Sequence, residues 1–271
     1  MSYIDIYAAG LKSNEASSVM NSNSTFHGTL SIQNKILVKN PILPYSIVTF
    51  YILFVVWIGP AIMKHRKPYS LQKFLIVYNF LQAASNLYIA YIVIDAIIKN
   101  WDSRCLIKKN PRISEILEAY TAPGYLLYEV KFLDLLDTVL FVLRKKQSQV
   151  TFLHVFHHAG MCLGFYWGLT NLHLNPSFYM AIIFAINTPV HVIMYTYYGL
   201  SAIGPHMQKY LWWKKHLTRL QIGQLFFILC YMVHGFLTGC EEMGRIELYA
   251  LIYAIMTLIL FLNFYRKYKK Q

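Results

Sequence analysis

Apolar runs long enough to cross a bilayer constrain this chain more than any other feature. A helix of about 20 apolar residues spans the hydrocarbon core of a membrane. Seven such runs are readable, near 43–63, 71–98, 117–143, 150–170, 177–199, 217–238 and 246–266. Lipid offers no partner to unpaired N–H and C=O groups, so runs of this length are expected as helices. The expected fold is therefore all-α, a polytopic membrane protein with seven transmembrane helices in one domain over 41–266. Residues 1–40 read as a mobile lumenal tail and 267–271 as a cytosolic one. Composition agrees, since 56% of the 271 residues are hydrophobic and only 14% are charged.

Basic residues sit between the runs. Lys64-His65-Arg66-Lys67, Arg144-Lys145-Lys146, Lys214-Lys215 and Arg266-Lys267 with Lys269-Lys270 form short clusters. Clusters of this kind mark cytosolic loops. None belongs to a water-exposed domain, so the net charge of +13 does not point to nucleic acid. A lumenal N-terminus makes loops 64–70, 144–149 and 200–216 cytosolic, together with the C-terminus. The loop 99–116 runs against this orientation, with Lys99, Arg104, Lys108, Lys109 and Arg112. The start, Met1-Ser2-Tyr3-Ile4-Asp5, lacks the basic n-region of a secretory signal peptide. Asn23-Ser24-Thr25 is a glycosylation sequon, usable on the lumenal side. Cys105 and Cys240 fall in two lumenal loops, either bridged to each other or as free thiols. Cys162 and Cys230 lie inside spans.

A charged side chain at the bilayer centre costs roughly 2.5–3.5 kcal/mol on insertion scales, so polar groups inside spans mark interior sites. The fourth span carries His154-Val155-Phe156-His157-His158, three imidazoles on one helical face. The third carries Lys131, Asp134, Asp137 and Thr138. Lys131 and Asp134 are spaced to pair, as part of a site or as a structural ion pair. The fifth carries Asn187 and His191, followed by Met194-Tyr195-Thr196-Tyr197-Tyr198. Thr218, Gln221 and Gln224 in the sixth, with Asn79, Gln82 and Asn86 in the second, form polar stripes that also serve to join helices. At ~1.5 Å rise per residue, Asp137, His157 and His191 lie on the order of 10–17 Å from the cytosolic ends of their helices, in one layer. A pocket there fits a molecule with an anionic head outside, a carbonyl at the layer and an apolar remainder running toward the lumen. An acyl-CoA has that shape.

Histidine boxes serve two chemistries. Membrane di-iron desaturases and hydroxylases use several H-x-x-H-H boxes as iron ligands, whereas this chain has ten histidines but one box. A proton-coupled seven-helix transporter also needs buried titratable groups, yet no internal repeat is visible. The other chemistry is acid–base or covalent catalysis by imidazole.

Five motifs carry a resemblance. They are Tyr78-Asn79-x-x-Gln82, Lys131-x-x-Asp134-x-x-Asp137-Thr138, His154-Val155-Phe156-His157-His158, Asn187-x-x-x-His191-x-x-Met194-Tyr195-x-Tyr197-Tyr198 and Thr218-x-x-Gln221-x-x-Gln224. In this order, each inside a span, they resemble the fatty acid elongases, the very-long-chain 3-oxoacyl-CoA synthases. Asp134 stands where that family usually has Glu, keeping the charge on a shorter side chain. The resemblance implies seven helices, six enclosing a substrate tunnel. It implies condensation of a long-chain acyl-CoA with malonyl-CoA to 3-oxoacyl-CoA, CO2 and CoA, with no metal or other cofactor. Its expected partners are the 3-ketoacyl-CoA reductase, 3-hydroxyacyl-CoA dehydratase and enoyl-CoA reductase of the cycle, membrane lipid and a homo-oligomeric copy.

On that reading His157 forms an acyl-imidazole and His191 assists, while His154, His158 and Asn187 orient and polarise. Lys131, Asp134 and Asp137 complete the catalytic set, with Lys131 attracting the malonyl carboxylate. Thr138, Tyr195, Tyr198, Gln221 and Gln224 are candidate substrate contacts. Lys145, Lys146, Lys214, Lys215 and Arg219 are candidates for CoA phosphates, or topology signals alone. Lys267 and Lys269, three and five places from the end, resemble a dilysine retrieval signal of the endoplasmic reticulum membrane.

Overall fold

The computed structural model describes residues 32, 34–105, 111–171, 178–240 and 244–269. Among them run seven long helices and no strand. They are α1 Ile42–Met63, α2 Gln72–Lys99, α3 Ile113–Leu143, α4 Phe152–Asn171, α5 Phe178–Ile203, α6 Lys214–Thr238 and α7 Arg245–Lys269. Five of these, α1, α2, α5, α6 and α7, are long and apolar enough to cross a membrane. The remaining two, α3 and α4, hold the buried ions and the histidine box, which lower their hydropathy. The chain is a multi-span membrane protein. Helix α5 continues to Ile203 and α7 to Lys269, past the expected 199 and 266, and a short helix at Ile36–Lys39 precedes α1. Asn23 and the last two residues lie outside the described residues.

Local irregularities have local causes. Phe54–Ile58 form a π-helical turn immediately before Gly59-Pro60. Pro60 has no N–H to return to the preceding turn, and a widened turn absorbs the gap. Gly59 is required by space, since a Cβ there would come within 2.8 Å of both the Phe54 carbonyl and Val142 of α3. Prolines also lie inside α3 (Pro123) and α5 (Pro189). Beside Pro189, the Thr188 hydroxyl donates to the Phe184 carbonyl at 2.8 Å.

Helix α2 lies along α5 over the longest shared face, α6 packs on α5 and α7, and α4 on α3 and α1. The main core joins Ile89 and Val93 of α2, Leu127 and Tyr128 of α3, and Phe178 and Ala181 of α5. A second cluster seats Val48, Tyr51 and Val55 of α1 against Leu135, Val142 and Cys162. Helix α6 stops at Gly239, whose φ of 65° is left-handed and suits glycine. The Cys240 N–H then donates to the Gly235 carbonyl (3.2 Å). Cys240 is bonded to Cys105, which follows the end of α2, with 4.3 Å between the Cα atoms.

At Gly235 of α6 there is no room for a side chain against α5, since a Cβ would overlap the Tyr179 hydroxyl. Gly235→Ala is expected to lower the thermal midpoint in detergent, by the equivalent of about 1–3 kcal/mol of overpacking. Gly223→Ala on the same helix, where a Cβ would meet nothing within 4 Å, is expected to leave the midpoint unchanged or raise it.

Candidate functional site

Thr151 fixes where the histidines fall on α4. Its hydroxyl oxygen accepts the His154 N–H at 3.2 Å, capping the first turn of a helix that starts at Phe152. The 3.6-residue repeat then stacks His154 and His158, with ring centroids 4.2 Å apart, and sets His157 beside them, 5.8 Å from His158. Phe141 of α3 packs on the His154 ring (5.3 Å).

These rings face a cavity of about 930 Å³ lined by residues of α2, α3, α4, α5, α6 and α7, and by none of α1. Six helices thus surround the space, and α1 lies outside it. Asp137, His154, His157, His158, Asn187 and His191 line its middle. Tyr198, Thr218, Gln221 and Gln224 also line it. The Gln221 amide donates to the Met194 sulfur at 3.4 Å. One end is basic, with Arg144, Lys146 and Lys214. About 15 Å further along α4 from His157, at 1.5 Å per residue, the other end is apolar, with Phe165, Trp167 and Tyr249. Four buried polar atoms of the lining have no hydrogen-bond partner among the described residues: His154 Nε2, Asn187 Oδ1, His191 Nδ1 and Gln224 Oε1. A buried polar atom without a partner costs about 1–3 kcal/mol. Four of them in one cavity are the signature of groups kept for a ligand.

Lys131, Asp134, Thr138 and Tyr195 do not line the cavity; they form a polar layer behind its wall. Lys131 Nζ lies 3.0 Å from Asp134 Oδ2, with both side chains 2% exposed. The Gln82 amide (2.5 Å) and the Tyr195 hydroxyl (2.8 Å) both reach Asp134 Oδ1. Asp137 is held from two sides, at Oδ1 by the Tyr78 hydroxyl and at Oδ2 by the Tyr195 hydroxyl, each at 2.8 Å. Tyr51 of α1 bonds Thr138 at 2.8 Å. Thr138 and Tyr195 are thus committed to protein partners instead of facing the cavity, and Lys131 meets a carboxylate of its own helix. Asp137 alone belongs to both the network and the cavity wall.

The basic candidates divide. Lys146 and Lys214 line the cavity mouth, while Lys145, Lys215 and Arg219 do not. Lys145 reaches the Lys64 carbonyl (3.3 Å), and Arg219 donates to the Tyr265 hydroxyl (3.1 Å). Lys267 is exposed near the end of α7, three residues past the lining residue Phe264, and does not itself line the cavity.

Three phenols were not singled out in the sequence as site residues. Tyr78 lies in a quoted motif, and its place four residues before Gln82 on one face was the available signal. Tyr51 and Tyr253 sit in apolar helices with no pattern that distinguishes them. Tyr253 of α7 lines the cavity and donates to the His157 carbonyl at 3.0 Å.

Residues 36–271 match the family model described as the GNS1/SUR4 family, ELO. The chain is 39% identical to "Very long chain fatty acid elongase 1" of Homo sapiens, over 90% of this chain and 88% of that protein. It is 39% identical to "Very long chain fatty acid elongase 7" of Rattus norvegicus, over 88% and 85% respectively. With "Very long chain fatty acid elongase 4" of Homo sapiens it shares 36% identity, over 96% and 86%.

Removing one partner of a buried ion pair leaves the other uncompensated, at a cost of about 3–5 kcal/mol. Asp134→Ala is expected to lower the thermal midpoint and the yield of folded protein sharply. The double substitution of Lys131→Met with Asp134→Leu is expected to recover much of that loss, read as melting in detergent.

Proposed function

This chain belongs to the GNS1/SUR4 (ELO) family, and on that premise we propose how its cavity carries out the family's reaction. The protein is a fatty acid elongase, an enzyme of the condensing step that joins a fatty acyl-CoA to malonyl-CoA and gives 3-oxoacyl-CoA, CO2 and CoA. This replaces the desaturase and transporter readings of the histidine box.

The carrying observation is one cavity with a basic mouth, an imidazole-lined middle and an apolar far end. Lys146, Lys214 and Arg144 hold the CoA phosphates, and the acyl chain runs past His157 toward Trp167 and Tyr249. An imidazole nitrogen of His157 adds to the thioester carbonyl, the C–S bond breaks and CoA leaves as the thiolate. The acyl group stays on His157 as an acyl-imidazole. Malonyl-CoA then enters and loses CO2. The electron pair of the broken C–C bond attacks the acyl carbonyl, and the imidazole is expelled. One proton is taken up per cycle, on the CoA thiolate. His191 and His154 contact the reacting carbonyls and exchange protons there, each through a ring nitrogen with no partner among the described residues; Asn187 hydrogen-bonds in the same space, and His158 lines it beside them. Asp137 faces the same space from the network. No metal takes part in these steps.

The seven helices are proposed to be seven membrane spans, since α3 with 31 residues and α4 with 20 are each long enough to cross the hydrocarbon core. The basic mouth faces the cytosol, with the N-terminal tail and Asn23 lumenal. The dilysine pattern Lys267 and Lys269 supports residence in the endoplasmic reticulum. There the 3-oxoacyl-CoA passes to a reductase, a dehydratase and an enoyl reductase to complete each two-carbon addition.

Acyl-CoA alone, without malonyl-CoA, is expected to release one equivalent of CoA and to leave the acyl group on His157, read by peptide mass spectrometry. His157→Ala is expected to release none. Label on a different residue, or CoA release only when malonyl-CoA is present, overturns this course of reaction.

A further inference from the structure

The imidazole of a neutral histidine has one nitrogen with a hydrogen and one with a lone pair, and only the second is a nucleophile. Which is which depends on the partner of the other nitrogen. The polar contacts of the His157 side chain are therefore an inventory of hydrogens.

Its one hydrogen-bond partner among the described residues is Tyr253 of α7. The Tyr253 oxygen lies 3.0 Å from the His157 carbonyl oxygen and 3.4 Å from His157 Nδ1. A carbonyl oxygen brings no hydrogen to a contact, so the phenol hydrogen is the one that serves it. With that hydrogen committed to the shorter contact, the phenol oxygen can only accept at Nδ1. Nδ1 then carries the imidazole hydrogen, and the lone pair is on Nε2. The longer bond is of the kind that tightens when substrate binds.

A second observation shows that the fold reserves room for this phenol. Gly160, one turn along α4 from His157, faces the Tyr253 ring. A Cβ there would lie 2.6 Å from Tyr253 Cε2 and 2.9 Å from its hydroxyl. Phe156, on the turn before, stacks on the same ring with centroids 5.4 Å apart. The phenol is thus clamped between a face and a gap on α4, both set by the sequence next to His157.

We propose that Tyr253 is a positioning residue that holds His157 as its Nδ1–H tautomer and so presents the Nε2 lone pair to the cavity. The proposal rests on His157 being the acylated residue for its catalytic consequence, but not for the tautomer itself. It also gives His157 a distinction from its neighbours. His154 leaves Nε2 without a partner among the described residues.

The test is nitrogen NMR of full-length protein labelled with 15N-histidine in lipid nanodiscs, with the His157 signals assigned by their loss in His157→Ala. Wild type is expected to show a protonated Nδ1 and an unprotonated Nε2 at this residue. Tyr253→Phe keeps the ring and its stacking on Phe156 and is expected to shift His157 toward the Nε2–H form. Gly160→Ala, whose methyl displaces the Tyr253 ring and hydroxyl together while leaving the phenol chemically intact, is expected to do the same. In both variants the rate of CoA release from acyl-CoA alone should fall on the order of tenfold to hundredfold, with acyl-CoA binding unchanged. An Nε2–H wild type, or Tyr253→Phe with an unaltered tautomer, overturns the proposal. If wild type shows the Nδ1–H form but acylation maps to another residue, the assignment of the nucleophile fails and the tautomer stands.

Discussion

An ammonium group and two carboxyls buried inside a helical membrane protein are stable only when each finds partners there. Lys131 and Asp134 are each almost wholly buried and 3.0 Å apart on α3. The Coulomb attraction of such a pair does not by itself offset the desolvation of two ions; additional hydrogen bonds must complete their shells. Those bonds come from other helices: Gln82 on α2 and Tyr195 on α5 reach Asp134, and Tyr78 on α2 holds the neighbouring Asp137. Sliding or rotating any of the three helices breaks a bond to a buried charge. The network is therefore what fixes the register of α2, α3 and α5, and through Tyr51 and Thr138 it also seats α1.

The site depends on that register because Asp137 belongs to both sides of the wall. Behind it, two phenols hold both carboxyl oxygens; in front of it lies the cavity that the histidines share. The two populations of polar groups obey opposite rules. Network groups are mutually satisfied and contribute specificity of packing. Cavity groups such as Asn187 Oδ1 and His191 Nδ1 have no partner among the described residues, a cost that a polar ligand entering the cavity would offset. Helices α6 and α7 close the cavity from the other side, and α7 delivers Tyr253 to His157.

Much of this was legible in the sequence. The apolar runs located the seven helices to within a few residues. Polar groups stood out because lipid excludes them, so the histidine box, Asp137, Asn187 and His191 were read as candidate site residues, and the fold brings them to one cavity. What the sequence could not separate was the network from the cavity. Lys131, Thr138 and Tyr195 are as polar as Asp137, and only the rotation of α3 and α5 in the bundle decides which face lines the space. Cys105 and Cys240 could be assigned to one side but not to a bond. Tyr253 was missed for a different reason. A tyrosine among apolar residues reads as packing or as an interfacial anchor, and its value here arises from a glycine nearly a hundred positions earlier.

The account stands most directly on whether this cavity condenses two thioesters. The deciding measurement uses purified protein in liposomes, radiolabelled malonyl-CoA, a panel of saturated and unsaturated acyl-CoAs, and chelator throughout. The account predicts a labelled 3-oxoacyl-CoA from wild type and none from His157→Ala of equal thermal stability. Well-folded wild type that yields no such product with any acyl-CoA, or His157→Ala that yields as much as wild type, would contradict it.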